Sequence, residues 1–263
     1  MILVLGIDAA TWTVIRPNLN RLDTFRRLCE TGRCTDMVLK ETPVSPLIWC
    51  SMFCGRTFEE HGHDSFVKGD KIIKREDIAV EFIWDVLAKK GKKIVALNVP
   101  FVVPTFSFGT DFRPVGFGLP TDEKEWQDEL DQVTGKVKEL LSTDADVLIA
   151  VYKLLDRVQH FHWGEDCVLD WYGKLDAKLG EVLFNSGFLS DKNNKLILVS
   201  DHGFCSFGEA KIQTLPKETK HGTLKGDHHE NAIAITVNVD RLINQPQDVY
   251  TTICESYWQA ENK

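Results

Sequence analysis

The sequence predicts an α/β layered fold, a three-layer sandwich with a central, mostly parallel β-sheet flanked by helices. Three observations predict it. Short apolar runs recur that are continuously hydrophobic instead of alternating, as strands covered on both faces are. Helical patterns separate these runs, so strand and helix alternate along the chain. Finally, 263 residues with 43% hydrophobic content are enough to bury a sizeable core.

The elements follow in order. In "MILVLGID" the apolar run 2–6 is the first buried strand, and it ends at Asp8. "LDTFRRLCETG" is a helical pattern stopped by a C-cap glycine. In "ETPVSPLIWCSMFCGRTFEEHG" an apolar helical pattern starts at Ser45 and Pro46 and ends at Gly55. "EFIWDVLAKKG" also stops on glycine, ahead of a strand at 93–98. Residues 99–121, rich in Pro, Phe and Gly, form an extended loop over one face. "DEKEWQDELDQVTGKVKELLS" is a long amphipathic helix, followed by a strand at 147–152, a helix at 166–185 and a strand at 195–199. Residues 205–231 are a polar stretch leading into the last strand, 232–237, and "DVYTTICESYWQA" closes the chain. Loops this long in a compact α/β domain serve as lids or stay disordered. The reading is one domain over 1–263, with 99–121 and 205–231 as a minimal cap over a site.

Composition narrows the partners. The net charge of −8 is spread along the chain without a basic stripe, which argues against nucleic acid. Seven irregularly spaced cysteines, none in a CxxC pair, suggest neither a disulfide framework nor a thiolate zinc site. Cys29, Cys34, Cys50 and Cys54 sit among apolar residues and read as core cysteines of a reducing cytosol. With no signal-peptide pattern at the start and no apolar run near the roughly 18 residues of a membrane span, the expectation is a soluble, cytoplasmic protein.

In open α/β sheets, ligands bind beyond the carboxyl ends of the strands. Those ends carry Asp8, then Asp156 and His160 in "VYKLLDRVQHFHW", then Asp201 and His202 in "VSDHGF"; His228 and His229 precede the last strand. Carboxylate plus imidazole without thiolate suits zinc, manganese or iron, and with fewer His would suit magnesium. Each piece has a plain alternative. An Asp after a strand is commonly an N-cap, Asp156 and His160 at i, i+4 could form a surface ion pair, and Ser45 before Pro46 could be an ordinary N-cap. A hydroxyl at that helix start also faces free N–H groups and the positive end of the dipole, as a nucleophile toward phosphate requires.

With these pieces in this order, the chain resembles the alkaline phosphatase superfamily, and within it the type I phosphodiesterase/nucleotide pyrophosphatase family. The matching stretches run from "VLGIDAATW" through "ETPVSPLIWCSMFCGRTFEEHG" and "LLDRVQHFHW" to "ILVSDHGF" and "GDHHENAIAI". The resemblance implies an alkaline-phosphatase-like form of the three-layer sandwich and a two-metal site in one catalytic domain, the ions most simply zinc, with manganese, iron or magnesium also possible. Asp8, Asp201, His202 and the Ser45 oxygen would hold one ion; Asp156, His160 and His228 would hold the other. Ser45 would be the nucleophile, giving a phosphoryl- or nucleotidyl-serine from a small phosphodiester or nucleotide. Gln159, Phe161, His162 and His229 flank the motifs outside the ligand set, and His61 matches a structural His–Gly pair. The sequence lacks the sulfatase C/S-x-P-x-R pattern and an arginine beside Ser45, and Ile48 stands where some relatives carry a polar residue. Substrate contacts then fall to the loop cations Lys220, His221 and Lys225. A phosphomonoesterase and an inactive metal- or nucleotide-binding member remain as alternatives.

Overall fold

The computed structural model describes residues 1–113 and 122–261. The chain opens with β1 (Ile2–Ile7), α1 (Trp12–Ile15), α2 (Asp23–Thr31), β2 (Arg33–Val38), α3 (Ser45–Cys54) and α4 (Phe58–His61). A small hairpin, β3 (Val67–Lys68) and β4 (Lys71–Ile72), leads to α5 (Ile83–Lys89), β5 (Ile94–Val99), β6 (Phe106–Phe108) and α6 (Glu123–Leu141). Next come β7 (Val147–Tyr152), α7 (Leu154–His162), α8 (Asp166–Gly180), β8 (Lys195–Val199) and β9 (Gly203–Ser206). A second small hairpin, β10 (Glu218–Thr219) and β11 (Gly222–Thr223), precedes β12 (Gly226–His229), β13 (Asn231–Val237) and α9 (Gln247–Glu261).

Seven strands form one sheet in the order β2-β13-β8-β1-β7-β5-β6. β1 is buried along its whole length and lies parallel between β7 and β8, with β5 parallel to β7. β13 runs antiparallel between β8 and β2, and β6 antiparallel to β5. This is the α/β fold with a mostly parallel central sheet that the uninterrupted apolar strands predict. Alternate residues point to opposite faces. Leu3, Leu5 and Ile7 join one core with α2, α6 and α8, while Ile2 and Val4 join another with α3, α5 and α9. The second core is closely packed: a Cβ on Gly6 would stand 2.5 Å from the Trp49 ring of α3.

Three features depart from the sequence reading. β2 was not expected; charged Arg33 and Asp36 break its apolar pattern, as suits an exposed edge strand. The stretch 205–231 carries regular structure, because β9 and β12 pair as an antiparallel ribbon with His228 opposite Phe204. A side chain on Gly203 would collide with the Asn231 carbonyl, so the ribbon closes only over glycine. The helix at 166–185 finishes as a π-turn over Glu181–Asn185. Of the loop 99–121, residues 114–121 lie outside the described residues. Among the described residues no helix is long and apolar enough to cross a membrane.

Candidate functional site

β1, β7 and β8 end at one edge of the sheet. Asp8 directly follows β1, Asp201 and His202 follow β8, and Asp156 and His160 stand one turn apart on α7. Because β13 runs antiparallel to β8, the chain just before it reaches the same edge, and β12 brings His228 there. Ser45 arrives from the first turn of α3. Its N-cap is Val44, not Ser45 as the ordinary reading had it, and the Ser45 Oγ lies 3.5 Å from His202 Nε2 instead of capping the helix.

The turn after β1 holds the acids in position. Ala9 adopts a left-handed φ of 63°, uncommon for a residue with a side chain. Its N–H donates to Asp201 Oδ1 (3.2 Å), and its carbonyl accepts from the Gln159 amide (2.9 Å). Gln159 in turn accepts from the Tyr172 hydroxyl at 3.1 Å. Gln159, outside the expected ligand set, thus braces the turn that aims Asp8.

The imidazoles are oriented the same way. Nδ1 of His160, His202 and His228 lies 3.3, 3.0 and 2.7 Å from the carbonyls of Gly226, Gly203 and Pro43. A carbonyl only accepts, so each Nδ1 carries the proton and each Nε2 presents a lone pair to the cluster. His160 Nε2 and His228 Nε2 stand 3.0 Å apart, and both lie 3.2 Å from Asp156 Oδ1. His202 Nε2 is 3.6 Å from Asp8 Oδ1 and 3.4 Å from Asp201 Oδ2. Asp8 Oδ1, Asp156 Oδ1 and Asp201 Oδ2 are buried without a hydrogen-bond partner.

These charges strain one another. Burial, then the charges of Asp201 and Asp156, raises the Asp8 pKa well above the carboxylate range. Burial pushes Asp201 up to about 6. Burial pulls Asp156 upward too, but in the bare protein the Nε2-protonated forms of His160 and His228, whose protons a metal ion would displace, overcome it and hold the acid well below its usual value. His202 is held well below the usual imidazole range by burial and by its neighbour His228. Facing lone pairs and unpartnered buried carboxylates fit divalent cations between them. At this edge two donor sets that share Asp156 could grip an ion: Asp156, His160 and His228, and Asp8, Asp156 and His202, each with ligand atoms mutually within 4.8 Å; a third such group, His162, Glu165 and Cys167, does not line the cavity there.

All seven residues expected at a metal site therefore meet at this edge. Five of them, Asp8, Ser45, Asp156, His160 and His228, help to line a cavity of about 600 Å³, with Asp201 and His202 buried behind. Both long loops reach it, through Pro100 and Val102 on one side and Thr214 and Leu215 on the other. His61 lies away from the ligands and bonds to Ser51 of α3 at 2.9 Å. The loop cations do not line the cavity: Lys220 and His221 sit at the exposed β10–β11 turn, and Lys225 pairs with Glu165. The cations that do line it, Lys153 and Arg157, were missed. Their signal was position, since Lys153 is the first residue after β7 and both flank Asp156.

Comparison with known proteins supplies the context. A family profile described as type I phosphodiesterase/nucleotide pyrophosphatase matches residues 2–257. No curated protein matches the chain. Among solved structures, murine ectonucleotide pyrophosphatase/phosphodiesterase 5, an inactive variant in complex with AMP, superposes with a TM-score of 0.66 at 14% identity, covering 99% of this chain and 98% of that one. The same murine protein in another structure gives 0.65 at 15% identity, covering 99% of both chains. Its human counterpart gives 0.64 at 13% identity, covering 97% of this chain and 94% of that one. At such identities the likeness establishes the shared fold.

Proposed function

The chain belongs to the type I phosphodiesterase/nucleotide pyrophosphatase family, and from that premise we propose that it hydrolyses small phosphodiesters or nucleotide anhydrides at a site for two divalent metal ions. One observation carries the reading: the lone pairs of His160 and His228 Nε2 face each other at 3.0 Å, beside a buried Asp156 oxygen that nothing in the protein satisfies. The AMP complex of the structurally similar murine protein supports nucleotides as the first substrates to try.

In this reading Asp8, Asp201, His202 and the Ser45 oxygen hold one ion, and Asp156, His160 and His228 the other. Zinc is the first candidate, because imidazole and carboxylate are its usual partners. When bound, the ions neutralise the carboxylates, lower the pKa of the Ser45 hydroxyl and offset charge on the phosphate. Ser45 attacks phosphorus in line with the leaving group; the ester P–O bond breaks, and the departing alcohol or phosphate takes up a proton. Water then attacks the phosphoryl- or nucleotidyl-serine and restores the hydroxyl. The start of α3 favours both anions through the positive end of the helix dipole, since Pro46 has no N–H and Leu47 and Ile48 donate to the Val44 carbonyl. The carboxylates serve as ligands and need no raised pKa. The apolar wall at Pro100 and Val102 seats the organic part of the substrate.

The test compares bis-p-nitrophenyl phosphate with p-nitrophenyl phosphate, wild type against Ser45→Ala. Diester turnover falling by about a thousandfold or more in the variant is expected. A variant that retains wild-type turnover, or a protein with no turnover of either ester in the presence of zinc, would sink the reading.

A further inference from the structure

The cavity wall holds a charge imbalance that the proposed chemistry does not use. Lys153 and Arg157 are only 7% and 4% exposed, and both line the cavity. One carboxylate answers them. Glu129, 1% exposed, accepts at Oε1 from the Asn98 amide (3.0 Å) and from the Lys153 backbone N–H (2.8 Å). Its Oε2 stands 3.5 Å from the Arg157 guanidinium. Among the described residues, no acceptor lies within bonding distance of the Lys153 ammonium. Buried charge is tolerated only when paired; with Glu129 committed to Arg157 and Asp8 to a metal ion in the proposed site, the Lys153 ammonium is left to take an anion. Burial lowers the Lys153 pKa while Glu129 and Asp8 pull it back up, and an arriving anion favours the charged form.

We propose that Lys153, steadied by the Arg157–Glu129 pair, forms a subsite for a second negative charge on the substrate, beyond the single charge of a simple phosphodiester. The proposal rests on reading this cavity as the substrate site. The second charge is a phosphate oxyanion in either of two places: on the reacting phosphorus, as in a monoester, or on a neighbouring phosphate, as in an anhydride. Lysine binds either as a point charge.

Zinc-loaded Ser45→Ala protein, in which ligands persist, is titrated calorimetrically with the methyl ester of AMP, with AMP and with ADP. The same titrations are run with Lys153→Met and Lys153→Arg added. Affinity should rise about tenfold or more at one step of the series. A rise from methyl ester to AMP places the charge on the reacting phosphorus; a rise from AMP to ADP places it on the neighbour. Lys153→Met should flatten that step and Lys153→Arg should keep it, with thermal melting confirming that both variants are folded. A flat series with Lys153 present, or a step that survives in Lys153→Met and so belongs to the metal ions, overturns the subsite. Wild-type turnover of bis-p-nitrophenyl phosphate is scored separately. Its absence would sink the hydrolytic reading, while a Lys153-dependent step would still support the anion site.

Discussion

His61 shows how a single proton position couples to stability. Its Nδ1 accepts the His63 N–H at 3.1 Å, so its one ring proton sits on Nε2 and is donated to Ser51 Oγ. Burial, then the neighbouring His63, pushes its pKa down to about 4 from an ordinary 6.5. The unfolded chain therefore binds a proton below pH 6.5 that the folded protein refuses until about pH 4. Stability from this residue is complete above pH 6.5 and is lost as pH falls toward 4. Its size is on the order of 1–3 kcal/mol. Urea denaturation of wild type and His61→Asn between neutral pH and the acid end should show curves that converge as pH falls; parallel curves would count against the assignment. Other residues were legible to different degrees. Six of the seven cluster residues were readable because they lie near strand ends, and Ser45 because it starts an apolar helix. Glu129 was not, although it stands at helical spacing between Trp126 and Val133 on the apolar face of α6, where an acid needs a partner. Lys220, His221 and Lys225 were chosen as the cations of a long loop, but the β10–β11 pairing and Glu165 hold them elsewhere.

Among elements, α2 depends on a cap supplied from another helix. Its own N-cap, Leu22, offers no side-chain acceptor. Asp176 of α8 takes its place, accepting the N–H of Thr24 at 3.0 Å and of Phe25 at 2.8 Å. Asp176→Ala leaves two buried donors unsatisfied and should cost about 2–4 kcal/mol. Because Asp176 is remote from the cavity lining, kcat should stay at the wild-type level. A loss of stability under about 0.5 kcal/mol in urea denaturation would show that water or a shifted side chain replaces the cap. The buried strands were legible to within a residue or two because they carry no polar interruption. β2 and the β9–β12 ribbon were not, since edge strands and short ribbons mix charge, glycine and apolar residues, and their pairing is decided by distant partners.

At the scale of the molecule, three parallel strands ending at one edge, with an antiparallel neighbour returning to it, gather seven polar side chains from five separate stretches of sequence. The topology makes a small buried volume crowded with carboxylates whose pKa values burial and repulsion have moved apart. That arrangement is costly as bare protein and reasonable as a cation site. The resemblance to one family made the gathering expected; the carbonyl-anchored imidazoles and the place of Lys153 and Arg157 in the cavity wall became visible only in three dimensions. The direct measurement is a metal titration of activity. Chelator-stripped protein is titrated with zinc while hydrolysis of bis-p-nitrophenyl phosphate is followed. The proposed two-ion site predicts no turnover at the start, and a rise that saturates at two equivalents per chain. Turnover that survives chelation, or that saturates at one equivalent, would contradict the account.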